Sequence, residues 1–188
     1  KGLVATESQS TTSIKWNWYL NNPISEGTGN SNGFAVFSAS GVFVSTVSFP
    51  EPLSLPATYY QIGLLPNTPS KIQVGCYNIG GFSDPSTYAV AESTVYTKAN
   101  PPKDLRVVYA SFDTVELEWD ANGNNPDFTP YQVEISTYFD FSEYAIAMDF
   151  INNYKKTNLT VKNLEANNRY YFRVKARNGN GIVTLYDN

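Results

Sequence analysis

The chain contains two copies of one sequence pattern, about 100 residues apart. Residues 63–81 read GLLPNTPSKIQVGCYNIGG, and residues 163–181 read NLEANNRYYFRVKARNGNG. Each copy has a leucine, a polar turn, alternating apolar residues and an asparagine followed closely by glycine. A tryptophan precedes each copy at nearly the same spacing, Trp18 in the first and Trp119 in the second. Repetition at this length predicts two similar domains of ordinary size rather than one larger domain.

Alternation of apolar and polar residues indicates β-strands. Residues 13–18 (SIKWNW) and 114–119 (TVELEW) each place three apolar side chains, the last a tryptophan, on one face. Successive side chains of a strand point to opposite faces, so both stretches are predicted to be half-buried strands. Turn-forming residues fill the segments 26–33, 79–85 and 120–126. Since no stretch of a dozen residues has a helical stripe, the sequence predicts an all-β chain.

A proline pair marks the junction between the copies. Residues 98–103 read KANPPK, and Pro101 and Pro102 bias the residues before them towards extended geometry. We therefore predict a short, semi-stiff linker between one domain over 1–99 and another over 100–188. Such a linker favours an end-to-end pair with a small interface. Because little sequence follows Asn178, we expect the final strand of the second domain to be short or cut off.

These residues resemble the fibronectin type III family along the whole chain. The family pattern has a tryptophan on the second strand and L-x-P-x-T-x-Y-x-V-x-V-x-A-x-N-x-x-G into and along the sixth. The first copy supplies Leu65, Pro66, Thr68, Ile72, Val74, Cys76, Asn78 and Gly81. The second copy supplies Leu164, Tyr170, Phe172, Val174, Ala176, Asn178 and Gly181.

The resemblance implies two consecutive seven-stranded immunoglobulin-like β-sandwiches, each with three strands packed against four. It also implies that Trp18 and Trp119 are buried in equivalent places. Ser70 stands where the family's corner tyrosine belongs, so the first domain is expected to lack that contact. Tyr170 keeps the corner tyrosine in the second domain.

Composition argues against several classes of function. Lys and Arg number 13 and Asp and Glu number 17, and this net charge of -4 argues against a nucleic-acid or anionic-membrane partner. The absence of histidine removes the usual catalytic base, and one cysteine allows neither an internal disulfide nor a thiolate zinc cluster. No apolar run is long enough to insert into a membrane. We expect no enzymatic activity, no cofactor and no bound metal.

The candidate binding residues lie in the second half of the chain. They are two rings of the segment YFDFSEY and four side chains that alternate outwards along the predicted sixth strand: Tyr138, Phe139, Tyr171, Arg173, Lys175 and Arg177. Exposed rings stack on sugars or anchor protein partners, and a basic stripe suits an anionic glycan or an acidic partner. Two alternatives need no ligand. The basic residues can pair with Glu134 on a solvated face, and a small sandwich can bury its rings, Phe141 first among them.

Three further features have structural explanations that we favour. Cys76 is expected to be a small, buried and inert thiol. Residues 120–127 (DANGNNPD) offer oxygen ligands of the kind calcium prefers, but this composition is also ordinary turn chemistry. Asn158-Leu159-Thr160 matches the N-glycosylation acceptor pattern, which matters only in a eukaryotic secretory route.

The resemblance implies a function without catalysis. We expect a monomeric spacer and protein-interaction unit in a larger extracellular or cell-surface protein. Its partners would be other proteins or neighbouring domains of the same parent chain, with a glycan as a further ligand class. The alternative is an accessory carbohydrate-contacting module of a secreted polysaccharide-degrading enzyme. Rich in Asn, Thr and Tyr and poor in cysteine, the composition resembles the tandem modules of bacterial secreted proteins.

Overall fold

The computed structural model describes residues 3–5, 10–19, 31–48, 56–78 and 80–187. The chain divides into two compact units. The first unit consists of residues 1–64 and 69–97, and the second of residues 65–68 and 98–188. The predicted boundary between residues 99 and 100 stays a prediction from the linker composition.

The first unit is formed by antiparallel strands in small sheets. One sheet has the order β1-β2-β5, and a second runs β4-β3-β7, with β8 and β9 both paired to β7. A short pair, β6 with β10, completes the unit. The strands are β1 (Leu3–Ala5), β2 (Ile14–Trp18), β3 (Ser31–Ser38), β4 (Phe43–Ser48), β5 (Ala57–Gln61), β6 (Pro69–Ser70), β7 (Ile72–Asn78), β8 (Gly81–Phe82), β9 (Ala89–Val90) and β10 (Val95–Tyr96).

The first core lies between the inner faces of β2 and of β3 with β7. Trp16 is fully buried, and Trp18, 4% exposed, packs edge-on against Phe34. Val36 faces Val74 across the β3–β7 pair, and both are buried. The alternation read from residues 13–18 therefore places its apolar face in the core, as predicted.

Cys76 corrects one prediction, because its side chain is exposed rather than buried. It follows Val74 on the core-facing row of β7 and lies beside the β7–β8 hairpin, where a cleft of about 260 Å³ opens. Its backbone bonds to Ser83 on that hairpin, whose N–H donates to the Cys76 carbonyl at 2.9 Å. The core therefore ends one position earlier on this strand than the repeat predicted.

Aromatic rings cover the outer face of β3 and β7. Tyr88 stacks on Phe37, with ring centroids 4.7 Å apart and an interplanar angle of 19°. Phe37 also contacts Phe82 at 5.3 Å and Phe43 at 5.9 Å, both edge-on. Phe37 is buried, whereas Phe43 and Phe82 are about half exposed. We call these four residues, Phe37, Phe43, Phe82 and Tyr88, the Phe37 cluster.

The second unit has two three-stranded antiparallel sheets, in the orders β11-β12-β15 and β14-β13-β16. After β16, the segment 182–187 runs beside that strand, with Thr184 N–H donating to the Ala176 carbonyl and Asp187 N–H to the Val174 carbonyl. The strands are β11 (Lys103–Ala110), β12 (Val115–Asp120), β13 (Tyr131–Ser136), β14 (Ala145–Met148), β15 (Asn158–Val161) and β16 (Tyr171–Ala176).

The second core repeats the first with its own residues. Trp119 is 2% exposed and contacts the buried ring of Tyr131 at 5.5 Å. The predicted burial of both tryptophans is thus confirmed. Tyr170 Oη accepts a hydrogen bond from Glu165 N–H at 3.0 Å, which is the corner contact expected of this tyrosine. In the first unit, Ser70 Oγ instead donates to Gln61 Oε1 at 2.7 Å.

Side-chain amides hold the start of the second unit. Asn100 N–H donates to Asn124 Oδ1 at 2.7 Å, and Asn124 Nδ2 donates to the Asn100 carbonyl at 2.8 Å. Asn67, fully buried, donates to Thr129 Oγ1 at 2.9 Å and accepts from Gly179 N–H at 2.9 Å. The polar residues of the 120–127 turn therefore include structural hydrogen-bond partners.

Gly75 provides a test of the Phe37 cluster. A Cβ at this position would lie 2.3 Å from a Tyr88 ring atom, so Gly75→Ala must displace Tyr88 from its stack on Phe37. We expect the substitution to lower the unfolding free energy by about 1–3 kcal/mol, the usual cost of overpacking. In a Tyr88→Ala background only the tight contact with Ser83 Oγ at 3.0 Å remains, so the same substitution should cost less, under about 1 kcal/mol. Calorimetry of the wild type, Gly75→Ala, Tyr88→Ala and the double variant measures the two costs. Equal costs in both backgrounds would rule out the Tyr88 clash as the cause.

Candidate binding surface

The register of β13 and β16 brings the predicted basic residues to an acidic partner. Glu134 lies directly opposite Arg173, and Gln132 lies opposite Lys175. Arg173 Nε donates to Glu134 Oε2 at 2.7 Å, and Lys175 Nζ donates to Oε1 at 3.0 Å. A third hydrogen bond to this carboxylate comes from Gln132 Nε2, which donates to Oε1 at 3.0 Å. The cross-strand pairing that the sequence offered as an alternative to ligand binding is therefore formed.

The face around Glu134 is not solvated, which corrects the sequence-based interpretation. The Glu134 side chain has no exposed surface, and Arg173 and Lys175 are only 24% and 18% exposed. Tyr186 covers the carboxylate, with its Oη 2.9 Å from Oε1 and 3.0 Å from Oε2. The segment after β16 thus closes over a face that alternation alone marked as outward.

Hydrogen bonds keep the Glu134 carboxyl ionised. Burial by itself raises the pKa of this group, but bonds from Lys175, Arg173 and Tyr186 outweigh burial, so its pKa lies below the ordinary value. The pKa of Lys175 shows the converse. Burial lowers it, but contacts with Tyr186 and Glu134 raise it above the ordinary value. Each charge is therefore stabilised by its partners rather than by water.

Arg173 joins this ionic network to a group of rings. Its guanidinium carbon lies 3.9 Å from the ring centroid of Tyr186, 4.2 Å from that of Phe141 and 5.2 Å from that of Tyr144. Phe141 therefore packs on a cation instead of filling the core, which corrects the expectation for this residue. A guanidinium over ring faces is attracted by their quadrupoles, so Arg173 positions the rings above it.

Three of the predicted aromatic residues lie near these rings. Phe139, 81% exposed, meets Tyr171 edge-on at 5.5 Å. Tyr138 is half exposed and, with Tyr144, lines a surface cleft of about 300 Å³. We call Tyr138, Phe139, Tyr144 and Tyr171 the Phe139 surface.

The predicted basic stripe divides into separate environments. Arg173 and Lys175 point to Glu134 and Tyr186, whereas Arg177 lies over the ring of Phe150 at 4.8 Å. Arg177 Nη2 also donates to the Phe150 carbonyl at 3.4 Å. Arg173 and Lys175 thus have an internal acidic partner instead of forming a basic binding surface, and Arg173 also contacts Tyr144 of the Phe139 surface.

Tyr144 and Tyr186 are the contributors that the sequence-based prediction missed. Tyr144 belongs to the same segment as Tyr138 and Phe139, so its proximity was readable. Tyr186 was indicated only by the repeat: it follows Asn178 at a spacing similar to that of Tyr88 after Asn78. Comparing the two copies beyond the shared motif would have found it.

The other sequence features occupy ordinary positions. Asp120 Oδ1 accepts from Asn122 N–H at 2.6 Å, as in a tight turn. Asn158 is exposed on β15. In the part of the chain that the structure describes, no group of three or more His, Cys, Asp and Glu residues is arranged to hold a metal ion. Within the same residues, no helix is long and apolar enough to span a membrane.

Comparison with known families agrees with this geometry. The family model for the fibronectin type III domain matches residues 100–185. Residues 100–185 are a fibronectin type III domain. A two-domain fibronectin type III segment from chicken tenascin is similar in structure, with a TM-score of 0.57 and 14% identity, over 99% of this chain and 94% of that one. The chain therefore folds as two consecutive fibronectin type III sandwiches.

Other solved structures are similar over parts of their length. A titin segment has a TM-score of 0.42 and 19% identity, over 100% of this chain and 59% of that one. The fibronectin type III domain of human fibronectin type III domain containing protein 3 has a TM-score of 0.40 and 20% identity, over 48% of this chain and 80% of that one. No curated protein matches the sequence. A tandem fibronectin type III module fits a non-catalytic interaction or spacer unit.

Substitution of the buried carboxylate tests the ionic network. Glu134→Gln leaves the half-buried charges of Arg173 and Lys175 without their counter-charge inside the fold, so we expect a loss of about 3 kcal/mol in the unfolding free energy. Glu118→Gln is the matched control, because Glu118 binds Arg106 at the same 2.7 Å but both side chains are about half exposed. It should cost at most about 1 kcal/mol. Urea titrations of both variants decide; equal losses would contradict a special role for Glu134.

The pKa of Glu134 predicts a specific acid sensitivity. Its folded-state pKa lies below the ordinary unfolded value, so its contribution to stability is complete above about pH 4.3 and is lost as the pH falls through the folded value. The stability difference between the wild type and Glu134→Gln should therefore shrink below about pH 4.3. Burial raises the pKa of Asp187, so this group changes the pH dependence of stability in the opposite direction. Asp187 is present in both proteins, so its contribution cancels in the difference between the wild type and Glu134→Gln. A difference that stays constant into acid would contradict the prediction.

Proposed function

We propose that this chain is a non-catalytic interaction and spacer unit of a larger extracellular or cell-surface protein, and that the Phe139 surface contacts a protein partner. The observation that carries the proposal is the exposure of Phe139 at 81% in edge-on contact with Tyr171. Large aromatic side chains on preformed surfaces are the residues that most often dominate binding energy at protein interfaces. A fibronectin type III tandem supplies a scaffold for such a surface.

The support below the rings favours a preorganised site. Arg173 contacts Phe141 and Tyr144 from beneath and is itself fixed by the buried Glu134. Ordering exposed side chains on binding costs conformational entropy, and rings already held in place avoid part of that cost. The surface is therefore suited to a partner that buries it without reshaping it.

The extracellular setting rests on composition and on one exposed motif. The chain has one cysteine and 14 tyrosines, a composition that resembles the tandem modules of bacterial secreted proteins. The side chain of Asn158 in the acceptor pattern is exposed, so a eukaryotic secretory route would leave it available for glycosylation. The partner proposed here is another protein or a neighbouring domain of the parent chain, with the unit itself a monomer.

A carbohydrate-contacting accessory role is the second candidate. The cleft between Tyr138 and Tyr144 is also lined by the polar residues Ser136, Thr137 and Glu143. Rings combined with polar groups can bind a sugar. Against it, Phe139 and Tyr171 meet at an interplanar angle of 79°, so these two rings form no flat platform. This geometry favours the protein partner.

Binding by a matched pair of variants tests the proposal. The immobilised chain is exposed to the secreted and surface proteins of its source organism and to a panel of soluble polysaccharides. Phe139→Ala should weaken binding of the captured protein at least tenfold, because a hot-spot ring is lost. Phe112→Ala removes an equally exposed ring, 78%, from the turn between β11 and β12, and should leave binding unchanged. Equal binding by both variants would contradict the proposed surface, and a polysaccharide lost only by Phe139→Ala would favour the second candidate.

A further inference from the structure

Strand β4 is an edge strand of its sheet. It pairs with β3 along Phe43–Ser48, and the sheet order places no other described strand on its far side. Every second N–H and C=O group of such a strand points away from the sheet. An edge of this kind can pair with another extended chain unless the sequence prevents it.

The sequence of β4 lacks the features that usually protect an edge. Residues 31–50 contain no Lys, Arg, Asp or Glu, and β4 itself, FVSTVS, contains no proline. The corresponding edge of the second unit differs. There β14 is only four residues long and lies between Glu143 and Asp149. Short strands and charges discourage edge pairing, so this edge is protected in the second unit and not in the first.

The exposed side chains of β4 form a surface continuous with the Phe37 cluster. Thr46 and Ser48 are exposed, and Val42, Phe43 and Val44 are 64%, 47% and 44% exposed. Phe43 stacks on Phe82 with centroids 5.3 Å apart and an interplanar angle of 26°. An added strand would therefore place alternate side chains beside the exposed side chains of β4, Phe43 among them.

We propose that β4 accepts an extended, uncharged segment of a partner protein as an additional strand of the first-unit sheet. Main-chain hydrogen bonds to β4 supply the pairing, and an apolar side chain of the partner packs beside Phe43. This goes beyond the proposed function, because it concerns a different unit and a different mode of recognition. It holds whether or not the Phe139 surface binds its own partner.

The chemistry of the edge sets the chemistry of the partner. A charged residue opposite β4 would gain no ion pair, since residues 31–50 offer no charge to meet it. Residues with high β-propensity and small polar side chains match Thr46 and Ser48 across the pair. A helical partner would satisfy none of the outward backbone groups.

The test uses the whole chain and the acetylated, amidated peptide Ser-Val-Thr-Phe-Thr-Val-Ser. Binding is followed by fluorescence anisotropy of a labelled peptide, and its site by amide chemical shifts of residues 43–48. Two N-methylated forms carry their methyl groups on opposite sets of alternate amides. Only one set faces β4 in a paired strand, so one form should lose at least tenfold in affinity while the other stays within about threefold of the parent peptide. Equal affinities of the two forms would overturn the proposal.

Side-chain selectivity is tested on both partners. Replacing the Phe of the peptide by Asp should lower the affinity of the peptide for the wild-type chain at least tenfold. Phe43→Ser should do the same, and Phe112→Ser, also an exposed ring but in the other unit, should have no effect. Peptide-induced shifts outside residues 43–48 and the Phe37 cluster would overturn the proposal. So would concentration-dependent association of the chain blocked by Phe43→Ser, because the occupant would then be a second copy.

Discussion

The second unit depends on one carboxylate that has no contact with water. Glu134 accepts hydrogen bonds from Arg173, Lys175 and Tyr186, and these groups connect β13, β16 and the segment that follows β16. An ionised group in such a place is tolerated only when its charge is matched and its oxygens are bonded. The same bonds fix Arg173, on which the rings of Phe141 and Tyr144 lie. Through Arg173, the buried Glu134 therefore helps to hold the ring of Tyr144, one member of the Phe139 surface.

The first unit solves the same structural problem without charge. Val36 faces Val74 in β3 and β7, and Val133 faces Val174 in β13 and β16, so the registers correspond. One residue further along, Phe37 takes the place of Glu134. Tyr88 stacks on the first and Tyr186 bonds to the second. An apolar cluster and an ionic network can thus fill equivalent sites of one fold, in keeping with the small net difference usually found between buried ion pairs and apolar replacements.

These two solutions leave different surfaces. In the second unit the cations bind inwards to Glu134, and exposed rings such as Phe139 lie on the surface. In the first unit Phe43 and Phe82 stay half exposed next to an uncharged edge strand. One surface is suited to side-chain recognition and the other to backbone pairing. The two proposals therefore give the unit an interaction role beside its proposed role as a spacer.

The sequence alone determined the fold and its two cores. Alternation in residues 13–18 and 114–119 predicted half-buried strands with Trp18 and Trp119 on their apolar faces. The resemblance to the fibronectin type III family implied the two sandwiches and the corner contact of Tyr170, and the structure has all of these. Part of the candidate surface was also readable, since Phe139 and Tyr171 do meet. Only the tertiary structure decided that Glu134 is buried, that Cys76 is exposed and that Tyr88 and Phe82 close over Phe37. The two-residue alternation of a strand separates its two faces, but it does not say whether the outer face will be covered. That cover comes from segments far away in the sequence, as Tyr88 and Tyr186 show.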